Sequence, residues 1–240
     1  MTFSQLNISK DFVKNLESLG YINLTPIQEL SLNSSLKGKD LIARAKTGSG
    51  KTVAFSLPLV EKLRAKEFKV QALLLAPTRE LANQIAQNLR LLFRHIHNVK
   101  ILTLCGGVPF KPQVVSLSHQ AHIIVGTPGR VLKHLGEKNL SLDFVETFVL
   151  DEADKMLDMG FFDDIEKISG FLPKDRQTML FSATYTDDIK LLASNILCNP
   201  LFIEVENEEK NIIKQDFYEL SDSEKAQNIK KIIRSFEAKS

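Results

Sequence analysis

Two short segments of this chain carry residue types that phosphate chemistry requires. Ala45-Lys46-Thr47-Gly48-Ser49-Gly50-Lys51-Thr52 reads as a phosphate-binding loop between a strand and a helix. Gly48 and Gly50 let backbone N–H groups turn inward around phosphate oxygens. Lys51 reaches toward β- and γ-phosphates, and the Thr52 hydroxyl stands where it can ligate Mg2+ at the positive end of a helix. The general pattern has Gly where this chain has Ala45, so on this segment alone a plain glycine turn remains an alternative. Farther on, Phe148-Val149-Leu150 runs into Asp151-Glu152-Ala153-Asp154. There Asp151 would hold Mg2+ through water, and Glu152 would orient or deprotonate the water that attacks a γ-phosphate. An acidic helix start favoured by the helix dipole explains one or two of these carboxylates but not the matching loop upstream.

Such groups need a rigid frame, and the intervening sequence predicts one. Short apolar runs at Asp40–Ala43, Val70–Ala76, Lys100–Leu104, His122–Val125, Thr147–Leu150, Thr178–Phe181 and Leu201–Val205 read as strands. Between them lie amphipathic stretches such as Leu81, Ile85, Leu89, Leu92, Phe93 and Ile96, spaced to share one helix face. An opening helix puts Phe12, Val13, Leu16 and Leu19 together, with Ser9 as N-cap and Gly20 where its end needs positive φ. The alternation predicts an α/β domain built on a mostly parallel sheet with helices on both faces. Both chemical segments then fall at the carboxyl ends of strands, where open α/β sheets bind ligands.

Composition narrows the classes further. The 240 residues are 43% hydrophobic and 25% charged, which excludes disordered, collagen-like and coiled-coil chains. The two cysteines, Cys105 and Cys198, have no metal-ligand spacing, and a disulfide scaffold is not expected. His95 and His97 are not expected to bind metal, because i, i+2 spacing on a helix sends two rings to different faces. No apolar run approaches a membrane span and no charged-then-apolar leader is visible, so the expectation is a cytoplasmic protein with no membrane partner. Net charge is only +2, but residues 1–120 carry 16 Lys and Arg against 7 Asp and Glu, whereas residues 121–240 carry 15 against 22. A polyanion would meet the first half more readily. Beyond Val205 the sequence turns polar, which predicts one domain over 1–206, a linker over 207–216 and the start of a second domain over 217–240. Within the last part, Ile212–Leu220 reads as a strand, and Ser221 with Glu224 as a capping box.

The loop at 45–52 and the Asp-Glu-Ala-Asp sequence together resemble the DEAD-box ATP-dependent RNA helicases, and other stations of that family follow in order. Thr25-Pro26-Ile27-Gln28 resembles the adenine-reading Q motif, with Phe3 as its upstream aromatic. Pro77-Thr78-Arg79-Glu80-Leu81, Gly106-Gly107 and Thr127-Pro128-Gly129-Arg130 resemble the RNA-strand motifs. Ser182-Ala183-Thr184 resembles the motif that couples hydrolysis to domain closure. Cys105–Phe110, Ser116-Leu117, His119 and His122–Val125 are similar to the bacterial DbpA branch. The resemblance implies a RecA-like fold, ATP and Mg2+ as cofactors, a monomer, and RNA as a partner gripped by its backbone. For this branch it also implies ribosomal RNA or pre-ribosomal particles, reached through C-terminal parts beyond these 240 residues. The arginines that complete the ATPase would lie in the second domain, so residues 1–240 are expected to bind nucleotide but to hydrolyse and unwind poorly.

Residue chemistry supports these roles. The Gln28 amide donates and accepts, as the N6 and N7 edge of adenine requires, and Phe3 would stack on the base; a surface glutamine is the plainer alternative. Thr78, Arg79, Thr127, Arg130 and Gly106, Gly107 and Gly129 suit phosphates and 2′-hydroxyls rather than base edges, although αL turns and helix-capping arginines would look alike. The hydroxyls of Ser182 and Thr184 are expected to hydrogen-bond Asp154. Two rivals stay open at this point: a phosphate-loop ATPase acting on DNA or protein, and a non-catalytic module that binds nucleotide and RNA.

Overall fold

The computed structural model describes residues 1–205, together with Asn228, Ile229 and Lys231, which are helical. The expected linker, the strand at Ile212–Leu220 and the capping box at Ser221 lie outside the described residues.

Each expected strand forms within a residue or two of its predicted bounds: β1 Leu41–Arg44, β2 Ala72–Leu75, β3 Ile101–Leu104, β4 Ile123–Gly126, β5 Thr147–Leu150, β6 Gln177–Ser182 and β7 Leu201–Glu204. They make one sheet in the order β3-β4-β2-β5-β6-β1-β7, with every pairing parallel. A parallel sheet must be covered on both faces, which is why β2, β4, β5 and β6 are buried at every position. Alternate residues serve two cores. Ala43, Leu74, Val125, Val149 and Phe181 pack beneath α1 (Lys10–Ser18), α2 (Pro26–Ser35), α3 (Lys51–Lys62) and α4 (Arg79–Leu92). Ile42, Leu73, Ile124, Phe148 and Leu180 face α5 (Phe110–Ser118), α6 (Pro128–Gly136), α7 (Ala153–Asp158), α8 (Phe162–Ser169) and α9 (Asp187–Ile196).

The helix ends follow their sequence signals. Ser9 Oγ accepts from the Phe12 amide at 3.2 Å, Gly20 takes φ +84°, and Phe12 and Leu16 are buried, while Val13 and Leu19 are half-buried. One expectation is corrected: α4 stops at Leu92, so Phe93, Ile96 and both histidines lie past its end. His95 instead stacks on Phe12, with ring centroids 5.1 Å apart. None of the described helices is long and apolar enough to cross a membrane.

Candidate nucleotide site and nucleic-acid edge

Sheet order divides the chemistry. The strands β5, β6 and β1 are consecutive neighbours and deliver Asp151, Ser182 and the loop at 45–52 to one stretch of the sheet's carboxyl edge. The strands β3, β4 and β2 are also neighbours and deliver Gly106, Thr127 and Pro77 to the adjoining stretch.

On the first stretch, Ala45 extends β1 by one rung, its amide donating to the Ser182 carbonyl at 2.9 Å. Ala45 therefore keeps an extended, negative-φ backbone, which removes any need for glycine there. Gly48 and Gly50 do take positive φ, +85° and +95°. At Gly50 a Cβ would also lie 2.6 Å from Gln28 Nε2 and 2.8 Å from Thr25 Oγ1, so conformation and space both demand glycine. Gly50 is the N-cap of α3 and offers no side-chain cap, leaving the first amides of that helix for an anion. Lys51 is buried, its Nζ donating to the Ala45 carbonyl at 3.3 Å and pairing with Asp151 Oδ1 at 3.5 Å.

Asp151 and Glu152 follow β5 directly. Burial pushes the Asp151 carboxyl above its ordinary pKa, and the Lys51 charge works against that rise. Glu152 sits in the left-handed region at φ +54°, costly for a residue with a side chain, and its amide donates to Asp151 Oδ1 at 3.0 Å. Its carboxylate is held from both ends, by Thr47 Oγ1 at 2.7 Å and by Lys155 Nζ at 2.8 Å. Burial alone would raise its pKa, but these two hydrogen bonds, together with the Lys155 and Lys51 charges, outweigh it and hold the group below the usual value.

These residues border a cleft of about 360 Å³ lined by Thr25, Gln28, Thr47, Gly48, Gly50, Lys51, Thr52, Asp151 and Glu152. Its dimensions suit a nucleotide. A larger groove of about 540 Å³ lies by Phe68, Leu135 and Phe144, toward the amino ends of the strands, but no phosphate-binding loop or catalytic carboxylate borders it. Chemistry rather than size identifies the site. Lys46 is exposed on the loop, and the Ser49 and Thr25 hydroxyl oxygens are buried without partners, two polar atoms beside the cleft with unused hydrogen-bonding capacity. Among the described residues no group of three or more His, Cys, Asp or Glu could hold a metal. Mg2+ here would rest on Thr52, Asp151, water and the ligand's own phosphates, as that ion commonly does.

The adenine end differs from expectation in two ways. Gln28 is 2% exposed, its Oε1 accepting the Thr25 amide at 3.0 Å and its Nε2 donating to the Gly50 carbonyl at 3.0 Å. One hydrogen and one lone pair remain for a base, and the same amide couples the helix start to the phosphate loop. Phe3 is 1% exposed and packed in the core, so its ring is not available to stack on a base. The aromatic on the cleft wall is Tyr21, 41% exposed, which follows the positive-φ turn at Gly20. Tyr21 and Lys155 are the functional candidates that sequence reasoning missed. The turn at Gly20, closer to Gln28 than Phe3 is, was the available signal for Tyr21, and for Lys155 the signal was a cation three residues after Glu152 on a helix start.

The adjoining stretch is built from short side chains and open backbone. Thr78 caps α4 by accepting from the Leu81 amide at 3.2 Å, and the Arg79 guanidinium lies against Gly107, where a Cβ would stand 3.4 Å from Nη1. Arg130 donates through both Nη atoms to the Val108 carbonyl at 3.2 and 3.1 Å. Gly107 and Gly129 are exposed, and Gly106 and Thr127 half-buried. Pro77 and Pro128 are buried, so their rings do not contact a ligand; Pro128 instead starts α6 at the position where proline is favoured. At the coupling turn, Asp154 Oδ2 accepts from the Ala183 and Thr184 amides at 3.1 Å and from Thr184 Oγ1 at 3.3 Å. Ser182 Oγ is buried without a partner, so the expected bond from its hydroxyl is replaced by the Ala183 amide.

Known proteins are similar to this chain in sequence and in fold. The chain is 48% identical over 233 residues to the ATP-dependent RNA helicase DbpA of Escherichia coli, covering 96% of this chain and 51% of that one. It is 44% identical to the ATP-dependent RNA helicase CshA of Listeria monocytogenes, covering 93% and 43%. It thus spans about half the length of the curated relatives it matches. A DEAD box protein from Methanococcus jannaschii superposes with a TM-score of 0.82 at 36% identity, over 98% of this chain and 63% of that one. The RecA-like architecture is shared with such structures. A family match over residues 25–192 begins at the Thr25 cap and runs past the Asp154–Thr184 tie, taking in the phosphate loop, the carboxylates and the polar edge, and by it the chain belongs to the DEAD/DEAH box helicase family.

Proposed function

We propose that residues 1–206 are the nucleotide-binding half of an ATP-dependent RNA helicase, joined through 207–216 to a second domain of the same kind that begins at 217. The observation that carries this reading is the placement of Lys51, Asp151 and Glu152 around one cleft, with Lys51 Nζ 3.5 Å from Asp151 and Thr47 on Glu152. In it Lys51, Thr47, Gly48, Ser49 and Gly50 grip phosphates, Thr52 and Asp151 hold Mg2+ partly through water, and Glu152 activates the attacking water. Thr25 and Gln28 read the adenine edge. Bound Mg2+ supplies charge neutralisation between the phosphates. RNA lies by its backbone along Thr78, Arg79, Gly106, Gly107, Thr127, Gly129 and Arg130, and Asp154 with Thr184 ties hydrolysis to closure.

The reading extends to a soluble, cytoplasmic monomer that acts on ribosomal RNA, which is what resemblance to the DbpA branch among its relatives implies. Their names speak of RNA helicases, and the DbpA-like run from Cys105 to Val125 favours that branch. Hydrolysis needs arginines from the second domain, so residues 1–240 bind ATP and turn it over weakly. The test is phosphate release with saturating single-stranded RNA, by residues 1–240 and by a longer chain carrying both domains. RNA-stimulated turnover only in the longer chain is expected; robust turnover by residues 1–240, or none by either, overturns the reading.

A further inference from the structure

The loop Gly106–Pro109 follows β3, one of the two edge strands of the sheet, so it has a strand neighbour on one side only. A buried relay from α5 and α6 holds it. Gln113 Nε2 donates to the Cys105 carbonyl, the foot of the loop, at 3.0 Å, and Gln113 Oε1 lies 3.1 Å from His134 Nε2. An amide oxygen only accepts, so His134 carries its proton on Nε2 and leaves Nδ1 bare; Nδ1 is buried and has no partner. Burial lowers the His134 pKa, with the Arg130 and Lys133 charges pushing the same way and Glu137 against them, and the net lowering favours the neutral ring this network requires.

The other face of the relay reaches the tip of the loop. The His134 ring stacks on Phe110 with centroids 4.2 Å apart and planes at 17°. Arg130 lies over Phe110 at 5.5 Å and sends both Nη atoms to the Val108 carbonyl, leaving its remaining N–H groups free. The foot is thus held directly by Gln113, and the tip through Arg130 and the Phe110 ring on which His134 stacks; Gln113 is 9% exposed and His134 fully buried, so neither meets a ligand.

We propose that Gln113 and His134 are positioning residues for RNA, presetting the Gly106–Gly107 backbone and the Arg130 guanidinium as one phosphate-binding surface. This rests on the reading of that edge as the RNA side. A preset surface pays no ordering cost when the strand arrives, so loosening it weakens RNA binding while leaving the nucleotide cleft, on the other strands, untouched.

The test measures two affinities in residues 1–240: a fluorescein-labelled single-stranded oligouridylate by anisotropy, and a fluorescent ADP. Gln113→Leu and His134→Leu should each weaken RNA binding about tenfold or more, the scale of a buried polar group left unpaired, with ADP affinity unchanged. His134→Gln, whose amide nitrogen stands near the Nε2 position, should recover most of the RNA affinity. Unchanged RNA affinity in Gln113→Leu, parallel loss of both ligands, or failure of His134→Gln to recover overturns the positioning role. Failure of the wild-type chain to bind RNA at low salt overturns instead the RNA reading on which it rests.

Discussion

The two halves of the sheet's carboxyl edge solve different problems with different materials. On the β1, β5 and β6 side, charged and polar groups are buried and already paired: Lys51 with Asp151, Glu152 with Thr47 and Lys155, and the neutral amide of Gln28 with Gly50. Strain is stored there as well, at Glu152 with its positive φ. On the β2, β3 and β4 side, the polar groups are short or exposed, and backbone is left open at Gly107 and Gly129. Stabilising developing charge requires donors and acceptors fixed in advance in a partly dry site, whereas gripping a repeating, sequence-neutral polyanion needs surface cations and accessible amides. A site for chemistry is thus marked by buried charges paired in advance beside open helix amides, and a backbone-binding surface by short side chains, arginines and exposed glycine backbone.

The sharpest break in that comparison comes from Glu152→Gln in a chain carrying both domains. The amide keeps the shape and the Thr47 contact but loses the basic oxygen, so RNA-stimulated phosphate release should fall roughly 10²–10⁴-fold while ATP stays bound. Turnover close to wild type would remove Glu152 from its role. Next in size, Lys51→Ala should weaken ADP binding about tenfold to a hundredfold, since it deletes a charge-assisted contact to phosphate. Calorimetry with unchanged affinity would contradict the loop assignment.

A smaller effect is expected at Gly50. Alanine there meets φ +95° and the Gln28 and Thr25 side chains, so Gly50→Ala should cost about 1–3 kcal/mol of stability by urea denaturation and also weaken nucleotide binding. A variant as stable as wild type would show that the contact between helix start and loop is slack. Gln28→Ala should likewise erode a wild-type preference for ATP over GTP, measured by competition against a labelled ATP analogue, by about 1–3 kcal/mol.

How far the sequence reached is itself divided along the same line. Strand positions were legible because a buried parallel strand is a nearly continuous apolar run, as Ala72–Leu75 and Thr147–Leu150 are. One boundary moved: Asp40 lies just outside β1, where its carboxylate accepts from the Thr178 and Cys198 amides, each at 2.7 Å. Phosphate-loop and carboxylate residues were legible because their chemistry tolerates few residue types. Phe3 was not, since an aromatic near the chain start suits a core as well as a base, and only packing distinguishes the two. The silence of Ser182 and the burial of Pro77 and Pro128 are also three-dimensional facts, because residue type does not reveal which way a group after a strand turns.

The smallest effect concerns pH and lies away from both sites. His122 is fully buried, accepting the Lys100 amide on Nδ1 at 3.1 Å and approaching the Ala65 carbonyl through Nε2 at 3.1 Å. Burial, chiefly, holds its pKa below 6.5. The unfolded chain then binds the extra proton first, so this contribution is complete above about pH 6.5 and is lost as pH falls through the lowered folded value. Urea midpoints should fall between pH 7.5 and 5.5, and less so in His122→Gln; an equal fall in both would assign the effect elsewhere.

The division of labour is tested most directly by titrating three forms of residues 1–240, wild type, Lys51→Ala and the double variant Arg79→Ala with Arg130→Ala, against both a fluorescent ADP and a labelled oligouridylate over a range of salt. Lys51→Ala should lose nucleotide affinity and keep RNA affinity within about twofold. The arginine pair should keep nucleotide affinity, bind RNA more weakly and show a flatter salt dependence. If either variant weakens both ligands equally, the two halves of the edge are one site and the division is wrong.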